Sequence, residues 1–262
     1  MKKLIFPMAL AILMIPGARA QSVFEGTWKI DVTSMKFPAK PLEQLLKDGM
    51  FSCNTCYVPY TVKADGTDQP VIGGPYVTTV AVKVVNDREI QRTGKKDGKI
   101  IFTATDIVSA DGNTMESSSS TMVNSGPPIT SKGIAKRVGQ APGGAHAISG
   151  AWRADKQEEI SDNGALFTYK VKGDEITLTT PTGQSYTARM DGTEAPFIGD
   201  PGNTSVRVKL IGKDTLEESY LLDGKVVYVS TTVIGADGKR ARITNVDKRQ
   251  NTTTLVEAVK QE

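Results

Sequence analysis

Histidine is almost missing from this sequence: His146 is the only one in 262 residues. Ser–His–Asp or Cys–His catalysis would need that single ring beside a nucleophile, and it lies in a Gly/Pro segment where a polar loop role suits it. Cysteine is nearly as scarce, with only Cys53 and Cys56. Two thiols and one imidazole are too few for a Cys/His zinc site. Haem attachment at C-x-x-C needs a histidine next, and residue 57 is tyrosine. The Asp-Gly pairs lack the D-x-D-x-D-G run of a calcium loop. No motif for a metal or a cofactor remains, and no catalytic set. Carboxylate pairs brought together only by folding leave no spacing signature, so glycosidase-type chemistry stays open on sequence grounds.

A long apolar run is also lacking. The one candidate, residues 4–15, is 12 residues long, short of the roughly 20 needed to span a bilayer. It follows Lys2 and Lys3 and precedes Pro16-Gly17-Ala18-Arg19-Ala20. A charged start, a short apolar core and an A-x-A end predict a secretory signal peptide, residues 1–20, cleaved after Ala20. Residue 21 is Gln rather than Cys, so no lipid anchor is expected. The expected location is the periplasm or the cell exterior, with no membrane anchor after cleavage.

Net charge is the third absence. The chain has 32 basic and 29 acidic residues, and three of the basic ones fall in residues 1–20. The remaining chain balances at zero and has no Lys/Arg-rich run. Such a chain has no field to attract nucleic acid, and no nucleic-acid partner is expected.

What the sequence does contain is itself, twice. Residues 60–112 align without a gap on residues 186–238, with 20 of 53 pairs identical. Gly26-Thr27-Trp28-Lys29 likewise matches Gly150-Ala151-Trp152-Arg153. This internal repeat predicts two copies of one domain, residues 21–138 and residues 149–262. Between them residues 139–148 are rich in Gly, Pro and Ala and read as a linker.

Strand signals dominate both copies. Val206-Arg207-Val208-Lys209-Leu210 and Val80-Ala81-Val82-Lys83-Val84 show the period-two pattern of strands with one buried face. Asp97-Gly98, Asp111-Gly112, Asp191-Gly192, Asp223-Gly224 and Asp237-Gly238 separate such runs, and Asp-Gly suits tight hairpins. The expected fold is all-β: two tandem antiparallel up-and-down meanders, each closing into a barrel and so removing its edges. The first copy differs at residues 41–47, where Pro41 and a Leu-rich, charged segment predict a short inserted amphipathic helix.

Gly26-x-Trp28 and Gly150-x-Trp152, each opening a β meander, resemble the start of lipocalins and related calycins. The usual Tyr after Gly-x-Trp is here Lys29 or Arg153, and no later Thr-Asp-Tyr element is present. The chain is more closely similar to exported bacterial tandem-repeat proteins. Their pattern is G-T-W-K, then Y-T-x-K-x-D-G with a nearby P-x-x-G, then D-G-K and S-A-D-G-x-T. Here it falls at residues 26–29, at residues 60–66 with Pro70 and Gly73, and at residues 97–99 and 109–114. That resemblance spans nearly all of the mature chain and implies no activity.

The remaining candidates are few. In an oxidising compartment Cys53 and Cys56 are expected to form a local disulfide. A redox pair is the alternative, though thioredoxin-like pairs sit where a strand meets a helix. Trp28 and Trp152 are expected to cap the barrel cores. Ser117–Ser120 has no base nearby in sequence and reads as polar strand. Asp65, Thr67, Pro70 and Gly73 recur as Asp191, Thr193, Pro196 and Gly199 in a loop longer than a hairpin turn, giving a candidate ligand-binding rim.

The leading expectation is a non-enzymatic exported binding protein with a small apolar ligand in one or both barrels. An envelope-associated module that binds protein or glycan by its surface is the alternative. A periplasmic hydrolase or C-x-x-C redox protein ranks third.

Overall fold

The computed structural model describes residues 22–262, so the expected signal peptide lies outside the described residues. From residue 22 onward the chain is β structure apart from one helical turn. The first ten strands are β1 (Gly26–Lys36), β2 (Leu42–Lys47), β3 (Met50–Cys53), β4 (Tyr60–Lys63), β5 (Gln69–Pro70), β6 (Thr79–Asn86), β7 (Glu89–Lys96), β8 (Lys99–Val108), β9 (Thr114–Thr121) and β10 (Ile129–Val138). β11 (Gly150–Ile160) and the turn α1 (Asp162–Ala165) follow. The second set is β12 (Leu166–Lys172), β13 (Glu175–Thr179), β14 (Ser185–Arg189), β15 (Asp191–Pro196), β16 (Ser205–Ile211), β17 (Thr215–Leu222), β18 (Lys225–Ile234), β19 (Arg240–Asp247) and β20 (Thr252–Lys260).

These strands form two nearly closed, ten-stranded antiparallel barrels, as the repeat and the alternation predict. The turn chemistry is as expected too: Asp97-Gly98 and Asp223-Gly224 take positive φ at both residues, the conformation of a tight two-residue hairpin.

The barrels do not coincide with the repeats. In one sheet the order is β4-β3-β2-β11-β10-β9-β8-β7-β6-β5, and in the other it is β14-β13-β12-β1-β20-β19-β18-β17-β16-β15. Each repeat's opening strand is thus built into the other repeat's barrel. β1 lies between β12 and β20, with Trp28 opposite Phe167 and Lys260. β11 lies between β2 and β10, with Trp152 opposite Leu42 and Arg137. The two cores agree: Phe24 and Trp28 pack with buried residues between 169 and 258, and Ile148 and Trp152 with buried residues between 46 and 115. This corrects the expected division into residues 21–138 and 149–262. The two opening strands share one motif, so the sequence does not say which barrel each one closes.

It also corrects the expected linker. Residues 139–148 join β10 to β11 inside one sheet, as a hairpin loop. Its later part is anchored: Ile148 is fully buried, and the His146 ring bonds Asn86 O at 2.6 Å while accepting the Ile148 N–H at 3.1 Å. The true crossovers are residues 37–41 and 161–165. Pro38 and Pro41 in the first lack an N–H and cannot extend a ladder, which keeps that segment out of either sheet.

The expected helix at residues 41–47 is the strand β2. Gln44 and Leu46 point inward and are buried, whereas Leu45 is exposed. A buried glutamine disguised the period-two pattern; its amide donates to Ile148 O at 3.2 Å. Asp48-Gly49, both at positive φ, turns the chain directly into β3. Among the described residues the one helical turn is α1, in the second crossover.

The Gly-x-Trp motif has a shared local cause. Each indole donates to the carbonyl four residues earlier, Trp28 to Phe24 O and Trp152 to Ile148 O, both at 2.8 Å. Each ring faces a cation of the adjacent strand, Lys260 at 5.5 Å and Arg137 at 4.0 Å. Gly26 and Gly150 have φ of 128° and 123°, and a Cβ at either would come within 2.6 Å of that same basic side chain. Glycine is therefore required both by the backbone and by the cation lying over the tryptophan.

Candidate functional site

Glu218 lies mid-strand on β17, where the inward alternation is Leu216, Glu218, Tyr220. Only 2 % of it is exposed. Three tyrosines converge on its carboxyl group: Tyr169 of β12 donates to Oε2 at 2.8 Å, and Tyr186 of β14 and Tyr220 of β17 donate to Oε1 at 2.5 and 3.0 Å. Burial raises the Glu218 pKa, and the three hydroxyl donors oppose that rise without cancelling it. Burial and the Glu218 charge hold all three tyrosines well above their ordinary range, so they remain donors.

This cluster borders a cavity of about 370 Å³ inside the second barrel. Phe167, Phe197, Tyr228, Ile243 and Val256 supply much of its wall, and Asp200, Asn203 and Arg249 lie along it. Asn203 is 9 % exposed, and its Nδ2 donates to Asp200 at 3.0 Å. Its Oδ1 is buried with no partner. Arg249 is held by Asp247 through contacts of 3.2 and 3.0 Å and stacks on Tyr57 of the first barrel at 4.8 Å. Tyr76, also of the first barrel, donates to Asp200 at 3.0 Å. The first barrel therefore packs against this side of the cavity.

The first barrel has a counterpart cavity of about 320 Å³ with different chemistry. In the repeat alignment Arg92 stands where the second copy has Glu218, and Asp106 stands where it has Thr232. Arg92 and Asp106 pair with each other at 2.9 and 2.7 Å, and Ser117 donates to the second Asp106 oxygen at 2.6 Å. One cavity is thus bordered by an arginine already paired with a buried aspartate, the other by a buried acid with no cation on it.

The residues singled out from sequence are placed elsewhere. Asp65 and Thr67 form a local side-chain turn, with Asp65 accepting from the Thr67 N–H at 2.9 Å, and Asp191 does the same with Thr193. Pro70, Gly73 and Pro196 are exposed, and Gly199 is half-buried. Gly73 and Gly199 take positive φ, which explains why both copies keep them. None of the eight lines either cavity. Their loop neighbours do: Val71 borders the first cavity and Phe197 the second. Cys53 and Cys56 are joined, with an S–S distance of 1.96 Å and Cα atoms 5.5 Å apart. Trp28 and Trp152 are fully buried core residues.

The Glu218 cluster was missed because polar residues on an inward face look like solvent-facing ones in a strand pattern. Two signals could have found it. Leu216 and Tyr220 set an inward phase that includes residue 218, and the repeat alignment exchanges Glu218 for Arg92.

A search against protein-family models found no match to the chain, and a search of curated proteins found no relative.

Burying a carboxyl has a pH signature. The folded state keeps the Glu218 proton at pH values where the unfolded chain, near pKa 4.3, has released it. More bound protons in the folded state mean stability falls as pH rises through that window. Exposed Asp65, Asp111 and Asp191 are shifted down and act with the opposite sign. Only the difference between wild type and Glu218→Gln isolates the effect. In urea unfolding from about pH 4 to about pH 8, wild type is expected to lose stability relative to the variant as pH increases. A flat difference would show that Glu218 titrates normally.

Proposed function

We propose that the protein is an exported, non-enzymatic binding protein that holds one small, largely apolar ligand in its second barrel. One observation carries this reading: the cavity beside Glu218, about 370 Å³ in volume. Small-molecule sites span roughly 300–1,000 Å³ and combine an apolar, often aromatic wall with a few placed polar groups. The aromatic and aliphatic wall with Glu218, Asn203 and the tyrosine hydroxyls fits that description. A barrel whose interior fills completely with its own side chains would leave no such space. The two Gly-x-Trp strands and the meander topology support a lipocalin-like reading, and the N-terminal charged and apolar segment supports export.

The test is a fluorescence titration of the mature chain with N-phenyl-1-naphthylamine, a neutral apolar probe. Saturable binding at one site is expected, and Ser230→Phe, which fills the cavity from β18, is expected to abolish it while circular dichroism stays unchanged. Equal binding by a folded Ser230→Phe variant would rule this cavity out as the site.

A further inference from the structure

We infer that the ligand of the second barrel carries a protonated amine on a compact apolar or aromatic body. This rests on the carrier reading above and specifies what is carried. Three observations point the same way.

The first is charge. Glu218 is met only by neutral hydroxyls, those of Tyr169, Tyr186 and Tyr220. The arginine that lines the cavity, Arg249, is already engaged by Asp247 and Tyr57. At the equivalent place in the first barrel the buried charge has its partner built in, Arg92 with Asp106. The second barrel lacks a built-in counterpart, and a bound cation would supply it. The second observation is hydrogen bonding. Once ionised, as it would be against a bound cation, the Glu218 carboxylate offers about four lone-pair sites, and the protein fills three of them. Asn203 Oδ1 is a buried acceptor with no donor at all. Unmet demand on this wall is therefore for donors, which an ammonium group supplies three at a time. The third is the wall itself. Phe167 and Tyr169 are 5.4 Å apart, Phe197 and Tyr220 5.1 Å, and Tyr220 and Tyr228 5.9 Å. Their ring faces are electron-rich and favour a cation. An anion would meet Glu218 and Asp200, both unfavourable to it.

Calorimetric titration of the mature chain with three near-isosteric probes tests this: 2-phenylethylammonium, 2-phenylethanol and phenylacetate. The ammonium is expected to bind tighter than the alcohol by on the order of tenfold, the scale of one charge-assisted hydrogen bond, and phenylacetate weakest. Glu218→Gln should bring the ammonium down to the level of the alcohol. Asn203→Leu should weaken the ammonium several-fold, an independent reading if Glu218→Gln does not fold. Equal or tighter binding of the alcohol or phenylacetate, or an ammonium preference that survives Glu218→Gln, would overturn the amine assignment and leave the carrier reading standing. If none of the three probes binds and the neutral naphthylamine does not bind either, both fail.

Discussion

Trp28→Ala is expected to loosen the second barrel and leave the first intact, although Trp28 belongs to the first repeat. The indole is fully buried among Tyr169, Ile176, Val256 and other residues of the second core. Its N–H is satisfied within the same unit, by Phe24 O. Truncating a buried tryptophan costs about 3–5 kcal/mol, a large share of the 5–15 kcal/mol typical of a whole domain. Hydrogen exchange read by mass spectrometry is the direct check. Peptides covering residues 166–260 should lose protection, and those covering residues 42–138 should keep it. Trp152→Ala should give the reverse. Loss of protection in residues 42–138 on changing Trp28 would mean that each repeat closes with its own first strand.

The second large effect is expected at the buried ion pair of the first barrel. Arg92→Met leaves Asp106, whose side chain is 1 % exposed, with only the Ser117 hydroxyl. Breaking a buried pair by removing one partner costs about 3–5 kcal/mol, because the remaining charge is uncompensated. Replacing both partners with apolar residues removes that penalty. Arg92→Met combined with Asp106→Leu should therefore recover most of the loss. Urea unfolding of the two single variants and the double variant decides it. A double variant no more stable than Arg92→Met would show that the pair contributes packing rather than charge balance.

The barrel architecture was legible because its signals are local. Alternation in Val80–Val84 and Val206–Leu210, and Asp-Gly at residues 97–98 and 223–224, depend only on neighbours in the chain. Three features do not follow from that alternation. The strand exchange requires a choice between two nearly equivalent Gly-x-Trp strands, made by crossovers at residues 37–41 and 161–165. The segment 41–47 looked helical because its inward residue at the decisive position is Gln44, and the Asp48-Gly49 turn just beyond it was the signal to weigh. The site was hidden for a related reason. Glu217 and Glu218 are identical side chains side by side, and only the register of β17 against β16 and β18 turns one to solvent and the other into the cavity. The eight rim-loop residues drew notice because both copies retain them, yet backbone geometry accounts for the glycines and local turns for the aspartates.

The carrier reading is tested most directly by native mass spectrometry of the protein recovered from its own host compartment, repeated under denaturing conditions. Extra mass is expected on the native protein that denaturation releases, equal to one small basic compound per chain and lost in Ser230→Phe. A native mass equal to the bare polypeptide, in protein that also leaves the amine and naphthylamine probes unbound, would contradict it.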